Sequence, residues 1–227
     1  MIRVTEILRS LFPPDVEVEG GWSGEINGPL FPEEQALIER AIEKRQRTFR
    51  AGRLLARQAL LRFGVPPAPI PALDRRPVWP AGYVGTISHT DECCVVAVAH
   101  AGVIVGVGVD VEVDGAASDG VLRHIATEEE LASLRASAEP RIWGTLLFSA
   151  KEAFYKSLAA IHPHFVGFHD VRIEIETEKG TFRVMPLHDA VRSAVAGLDV
   201  RGTWRREGGW VFAAVVLRRP VDISAVR

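Results

Sequence analysis

The most apolar stretch of the chain runs from Cys93 to Val109, and it is broken once, at His100-Ala-Gly102. Its valine and glycine content and its interruption argue against a membrane-spanning helix; it reads as two buried strands, Cys93–Ala99 and Val103–Glu112, joined by a turn. Cys93 and Cys94, the only two cysteines, are neighbours on the first strand. Their side chains point to opposite faces, so they are not expected to form a disulfide with each other. The second strand ends in Gly106-Val-Gly-Val-Asp-Val-Glu112. Residues i and i+2 of a strand share a face, so Asp110 and Glu112 point the same way. Two carboxylates ~4 Å apart repel by roughly 4 kcal/mol at an effective dielectric near 20. Either the strand is running out into solvent, where acids are ordinary, or a divalent cation such as Mg²⁺ or Mn²⁺ relieves the repulsion.

With 227 residues the chain can form one large domain or two modest ones, and its net charge of −2 sets up no global basic field for nucleic acid. The N-terminal residues Met1-Ile-Arg-Val-Thr-Glu lack the apolar run of a secretory signal, so a cytoplasmic protein without a membrane partner is expected. Residues 1–31, punctuated by Pro13-Pro14, Gly20-Gly21 and Gly28-Pro29, show no regular element. Helical spacing then holds from Pro32 to about Phe63, and this segment is the most basic of the chain, with Arg40, Lys44, Arg45, Arg47, Arg50, Arg53, Arg57 and Arg62. A basic helix is either a solvated face or a phosphate-binding one, for which the guanidinium fork is suited.

Residues 66–82 are proline-rich and carry Arg75-Arg76-Pro77, which implies an extended loop or arm. A strand, Val84–Ser88, ends at Ser88-His89. The run Asp114 to Gly120 is the best candidate boundary. A capping box at Thr127-Glu-Glu-Glu130 opens a helix to about Ala138, and a longer helix follows from Arg141 to about Ala160. Strand patterns at 171–177, 181–185, 202–206 and 210–218 and a short helix at 188–197 complete the chain.

The longer helix contains Phe148-Ser-Ala-Lys-Glu-Ala-Phe-Tyr-Lys156. Glu152 and Lys156 stand at i and i+4 and project from one face. Such a pair is either a surface salt bridge or a third carboxylate for Asp110 and Glu112 with a lysine to neutralise phosphate. Phe49–Arg57 can also be laid on Phe148–Lys156 at an offset of 99 residues, a faint internal repeat consistent with two similar lobes.

Together these stretches resemble the 4′-phosphopantetheinyl transferase superfamily, enterobactin/surfactin type. Gly108-Val-Asp-Val-Glu112 is similar to its G-[IV]-D-x-E motif, and Phe148–Lys156 to its [WF]-x-x-K-E-A-x-x-K motif. Arg45, Phe49, Gly52-Arg53 and Ala56-Arg57, Pro77-Val-Trp-Pro80 and Ser88-His89 add to the match, which covers roughly residues 40–220. The resemblance implies an α/β protein of the α+β type. It would have two pseudo-twofold lobes, 1–117 and 118–227, each a small, mainly antiparallel sheet on a long helix, with the active site between them. It implies transfer of the 4′-phosphopantetheine arm of coenzyme A to a serine of an apo acyl or peptidyl carrier protein, with release of adenosine 3′,5′-bisphosphate. Siderophore, nonribosomal peptide or polyketide synthases would be served.

By the same resemblance Asp110, Glu112 and Glu152 hold Mg²⁺, with Mn²⁺ a substitute, and Glu152 is the general base. Lys156 stabilises phosphate charge, with Lys151 a second candidate. Arg45, Arg53, Arg75, Ser88 and His89 bind the coenzyme A phosphates, Arg76 and Pro77 lie by the nucleotide, and Phe165-Val166 touch the pantetheine arm. Arg123 and Arg135 are implied carrier contacts, and a monomer is expected. Two other readings compete: a non-catalytic coenzyme A or nucleotide module, which would have no need of Glu152 or the metal ligands, and a Mg²⁺-dependent phosphohydrolase with water as acceptor.

Overall fold

The computed structural model describes residues 3–162 and 166–220. Helix α1 (Val4–Leu11) and strand β1 (Val16–Trp22) come first. Helices α2 (Pro32–Ile38) and α3 (Glu43–Arg62) follow, then a hairpin of β2 (Ala72–Leu73) and β3 (Arg76–Pro77). Strands β4 (Tyr83–His89), β5 (Cys93–His100) and β6 (Ile104–Val113) lead into helices α4 (Asp119–Ile125), α5 (Glu128–Ala136) and α6 (Pro140–Leu158). After a short 3₁₀ turn at Phe168–Asp170 come β7 (Val171–Glu176), β8 (Thr181–Pro186), α7 (Asp189–Val195), β9 (Asp199–Glu207) and β10 (Trp210–Arg218).

Two antiparallel sheets result, in the orders β1-β5-β4 and β6-β10-β9-β8-β7. Alternation along the strands assigns the faces. On β5, Cys93, Val95, Ala97 and Ala99 enter the core between the sheets, while Cys94, Val96 and Val98 pack with Ala51, Leu55 and Ala59 of α3. On β10, Phe212, Ala214 and Val216 enter the same central core, and Ala213, Val215 and Leu217 face α6. Each sheet is thus covered by one long helix, the α+β plan expected from the resemblance.

The sequence reading leaves residues 1–31 without regular structure, but the structure builds α1 and β1 there. Val4, Ile7, Leu8 and Leu11 form one buried face of α1, and β1 pairs with β5 from Val16 opposite Ala99 to Trp22 opposite Cys93. Glycine punctuation masked this strand: a Cβ on Gly20 would come within 2.5 Å of Val4, so glycine lets α1 lie on β1. The segment read as one helix from Pro32 to Phe63 breaks between α2 and α3, where Ile42 is extended (ψ 152°). The candidate boundary at 114–120 includes the start of α4, with Ser118 Oγ accepting from the Val121 amide at 3.3 Å. Strand β6, read as the last element of the first lobe, hydrogen-bonds to β10 in the second sheet.

That placement of β6 positions the site. Gly106 and Gly108 face α6, and a Cβ at these positions would stand 2.2 Å from the Ser157 carbonyl oxygen and 1.8 Å from that of Ala153. The helix backbone therefore lies directly on the strand. The next residues on the same strand face are Asp110 and Glu112. Among the described residues no helix is long and apolar enough to cross a membrane.

Gly108→Ala is expected to lift α6 from β6 and destabilise the fold by about 3 kcal/mol, at the upper end of overpacking costs. Urea unfolding measures this; an unchanged midpoint would show that the contact yields easily.

Candidate active site

Three elements meet where β6 ends. From β4, Ser88 Oγ donates to Asp110 Oδ1 at 2.8 Å. From α6, Lys156 Nζ donates to the same carboxylate oxygen at 2.5 Å and to Ser88 Oγ at 2.7 Å. One turn back on α6, Glu152 Oε2 lies 3.9 Å from Lys156 Nζ. The i, i+4 pair seen in sequence is therefore drawn into a network that joins both sheets, well beyond a surface salt bridge.

Among the described residues no three histidine, cysteine or acidic side chains stand close enough to enclose a metal ion. Instead, the Lys156 ammonium bridges Asp110 and Glu152. The donor set still fits a hard cation. Among the described residues Asp110 Oδ2 is buried with no hydrogen-bond partner, an expensive state for a carboxylate oxygen. Burial first, and then the Asp110 carboxylate, raise the Glu112 pKa to about 8. Burial likewise raises that of Glu152, with Lys156 opposing and Asp110 adding to the rise. Ionised together, the three carboxylates would carry more negative charge than one ammonium compensates, and a divalent cation would relieve it.

A cavity of about 390 Å³ adjoins this junction and is lined by Arg45, Arg53, Arg75, Pro77 and His89, among others. Arg45 Nη1 lies 3.0 Å from His89 Nε2. Burial first, then the nearby Arg45 and Lys156 charges, lower the His89 pKa, so the imidazole accepts from Arg45 as a neutral ring. Arg53 is buried beside it; burial is the main cause of a guanidinium pKa lowered to about 10. Arg75 reaches the cavity from the β2–β3 turn, where Asp74 and Arg75 both have positive φ (48° and 68°), as a two-residue hairpin of this hand requires. Arg76 and Pro77 line an adjoining cavity of about 510 Å³ with Trp79, Tyr155 and Lys156. Sequence reasoning missed Thr48 as a wall residue, and it gave Trp79 no role beyond the Pro77–Pro80 match, because their positions depend on which way each element faces.

Other expected residues lie elsewhere. Lys151 is not a phosphate ligand. It is fully buried, and Nζ donates to Glu130 Oε2 at 2.7 Å and to the carbonyls of Ile125, Phe168 and Val171 at 2.8 to 3.1 Å. One residue before Glu152, it leaves α6 on another flank, because successive helical residues are turned about 100° apart. Val166 is buried in the core beneath α6 and is absent from the walls of both cavities. Phe165 lies outside the described residues. Arg123 on α4 and Arg135 on α5 are exposed.

Comparison with known proteins matches residues 33–99 to the family described as "4'-phosphopantetheinyl transferase N-terminal domain" and residues 106–214 to that described as "4'-phosphopantetheinyl transferase superfamily". The two matches divide between β5 and β6, as the sheets do. The 4'-phosphopantetheinyl transferase Svp of Streptomyces mobaraensis is 36% identical over 86% of this chain and 81% of its own length. The 4'-phosphopantetheinyl transferase PptT of Mycobacterium tuberculosis is 36% identical over 82% of this chain and 85% of its own. Enterobactin synthase component D of Salmonella typhi is 31% identical over 83% and 80%.

The raised Glu112 pKa has a measurable sign. The folded protein keeps a proton that the unfolded chain gives up near pH 4.5, so its stabilising effect is complete below that pH and is lost as pH rises through about 8. In EDTA, the urea midpoint is expected to fall across that window, and Glu112→Gln to flatten the fall. An unchanged slope in the variant would assign the titration to another group.

Proposed function

The chain belongs to the 4′-phosphopantetheinyl transferase superfamily, and on that footing we propose how its cleft moves the phosphopantetheine arm of coenzyme A onto a serine of an apo carrier protein. The observation that carries the reading is the Ser88–Asp110–Lys156 junction between β4, β6 and α6, set beside a cavity walled by arginine and histidine.

Coenzyme A enters as a substrate whose 3′-phosphate and pyrophosphate face Arg45, Arg53, Arg75 and His89, and the Ser88 hydroxyl turns from Asp110 to donate to phosphate. Guanidinium forks bind phosphate through paired N–H groups, and the neutral His89 adds a contact without further charge. Arg76 and Pro77 lie by the nucleotide. Asp110, Glu112 and Glu152 would hold Mg²⁺, which when bound supplies positive charge to the pyrophosphate.

The reaction cleaves a phosphoanhydride, so the protein's work is positioning and charge neutralisation. Glu152 takes the proton of the carrier serine as its oxygen attacks the β-phosphorus. Its raised pKa moves this carboxylate towards the range where a general base is effective. Lys156, within reach of both Asp110 and Glu152, stabilises charge on the transferring phosphate. Adenosine 3′,5′-bisphosphate leaves. The relatives named for enterobactin synthesis favour carriers of siderophore, nonribosomal peptide and polyketide synthases. Arg123 and Arg135 remain proposed contacts for an acidic carrier surface.

The test is to incubate the protein with coenzyme A, Mg²⁺ and apo carriers from peptide, polyketide and fatty-acid synthases, then weigh the carriers. A carrier should gain the arm, and EDTA should stop the gain. Asp110→Ala and Glu152→Ala should each lower transfer at least ~10²-fold, whereas His89→Ala should mainly raise the KM for coenzyme A. No added arm on any carrier class would overturn the reading, and consumption of coenzyme A without a carrier would point to hydrolysis.

A further inference from the structure

The stripe Arg45, Phe49, Arg53 occupies i, i+4 and i+8 of α3, so the three side chains stack along one face. Both guanidiniums lie over the Phe49 ring, whose centroid is 4.4 Å from Arg53 Cζ and 5.9 Å from Arg45 Cζ. Phe49 is buried and belongs to the cavity wall. Among the described residues neither arginine has a carboxylate at ion-pairing distance; the nearby Glu34 is taken by Arg57. Among the described residues the one hydrogen-bond contact of the Arg53 side chain is at 3.5 Å to the Pro71 carbonyl, and its Nε has no partner.

Two guanidiniums on one wall repel each other; His89 engages one nitrogen of Arg45, and what else holds the pair must leave their remaining N–H groups free. A carboxylate would hold them by neutralising their charge and occupying their in-plane N–H groups. An aromatic face holds a guanidinium from above and leaves both its charge and its N–H edges available. We propose that Phe49 is a positioning residue for coenzyme A: its ring holds Arg45 and Arg53 edge-outward in the cavity for phosphate without neutralising them. This rests on the reading that the cavity receives the coenzyme A phosphates.

Phe49→Leu keeps an apolar side chain and the helix but removes the ring face. It is expected to raise the KM for coenzyme A about tenfold, to weaken binding of adenosine 3′,5′-bisphosphate in calorimetry by a similar factor, and to leave kcat within about twofold. Phe49→Tyr, which keeps the ring, should restore both constants. Arg53→Lys, which keeps the charge but not the planar fork, should cost less in the Phe49→Leu background than in the wild type, because the stacking it removes is already gone.

Unchanged nucleotide binding by folded Phe49→Leu protein, checked by its urea midpoint, would overturn the inference. So would additive effects of the two substitutions, or a loss confined to kcat. Should Phe49→Leu or Phe49→Tyr fail to fold, the calorimetric comparison of Arg53→Lys with wild type decides, and undiminished nucleotide binding overturns the inference. A wild-type protein that transfers while Phe49→Leu matches it refutes the role of Phe49 alone; a wild-type protein that neither transfers nor binds the nucleotide refutes the functional reading as well.

Discussion

Helix α6 can reach Asp110 and Glu112 only because two glycines let its backbone rest on β6. Any side chain at Gly106 or Gly108 would collide with the carbonyl oxygens of Ser157 or Ala153. A strand and helix normally pack ~10 Å apart, separated by a layer of side chains; here one side of that layer is missing. The closer approach is what brings Lys156 to 2.5 Å from Asp110. It also seats Glu152 in the same electrostatic field as Asp110 and Glu112. Cleft chemistry and core packing are therefore two aspects of one contact.

The two lobes are braced by the same device. In each, a buried glutamate sits in the first turn of a short helix and binds a cation from the long helix that follows. Glu34 accepts from Arg57 at 2.7 Å, from the Phe31 amide and from the Ile70 amide. Glu130 accepts from Lys151 at 2.7 Å, from the Thr127 amide and from the Ile173 amide. Such pairs tolerate burial because both carboxylate oxygens are hydrogen-bonded to the cation or to backbone amides, and losing one partner would strand the other. Each long helix thus spends one cation on anchoring and turns another, Arg53 or Lys156, towards the cleft. The anchors Arg57 and Lys151 are 94 residues apart, whereas aligning the sequences at an offset of 99 pairs Arg57 with Lys156. Likeness of residue type had matched an anchor to a cleft residue.

Much of the site was legible because its residues are spaced by local geometry. Asp110 and Glu112 share a face by strand alternation, and Glu152 and Lys156 by helical repeat. Lys151 shows the limit of that kind of reading. Beside Glu152 in sequence, it differs from Lys156 only in azimuth, and only the position of Glu130 on a separate helix makes it an anchor. Helix α1 and β1 show a different limit: their apolar spacing was present, but Gly20, which allows α1 to lie on β1, stands in a Gly20-Gly21 pair that resembles the punctuation of a loop. The place of β6 could not be read from spacing at all, since a hairpin with β5 and a ladder with β10 suit the same valines.

By itself the sequence determined the chemical types and the local phase of each functional stripe, because strand and helix periods depend only on backbone geometry. It also determined the family, through motifs that survive as short runs. Only the tertiary structure decided which stripes face each other. Asp110, Ser88 and Lys156 come from three elements whose meeting depends on glycine clearance, sheet order and the direction of α6, and these are settled by packing over the whole chain.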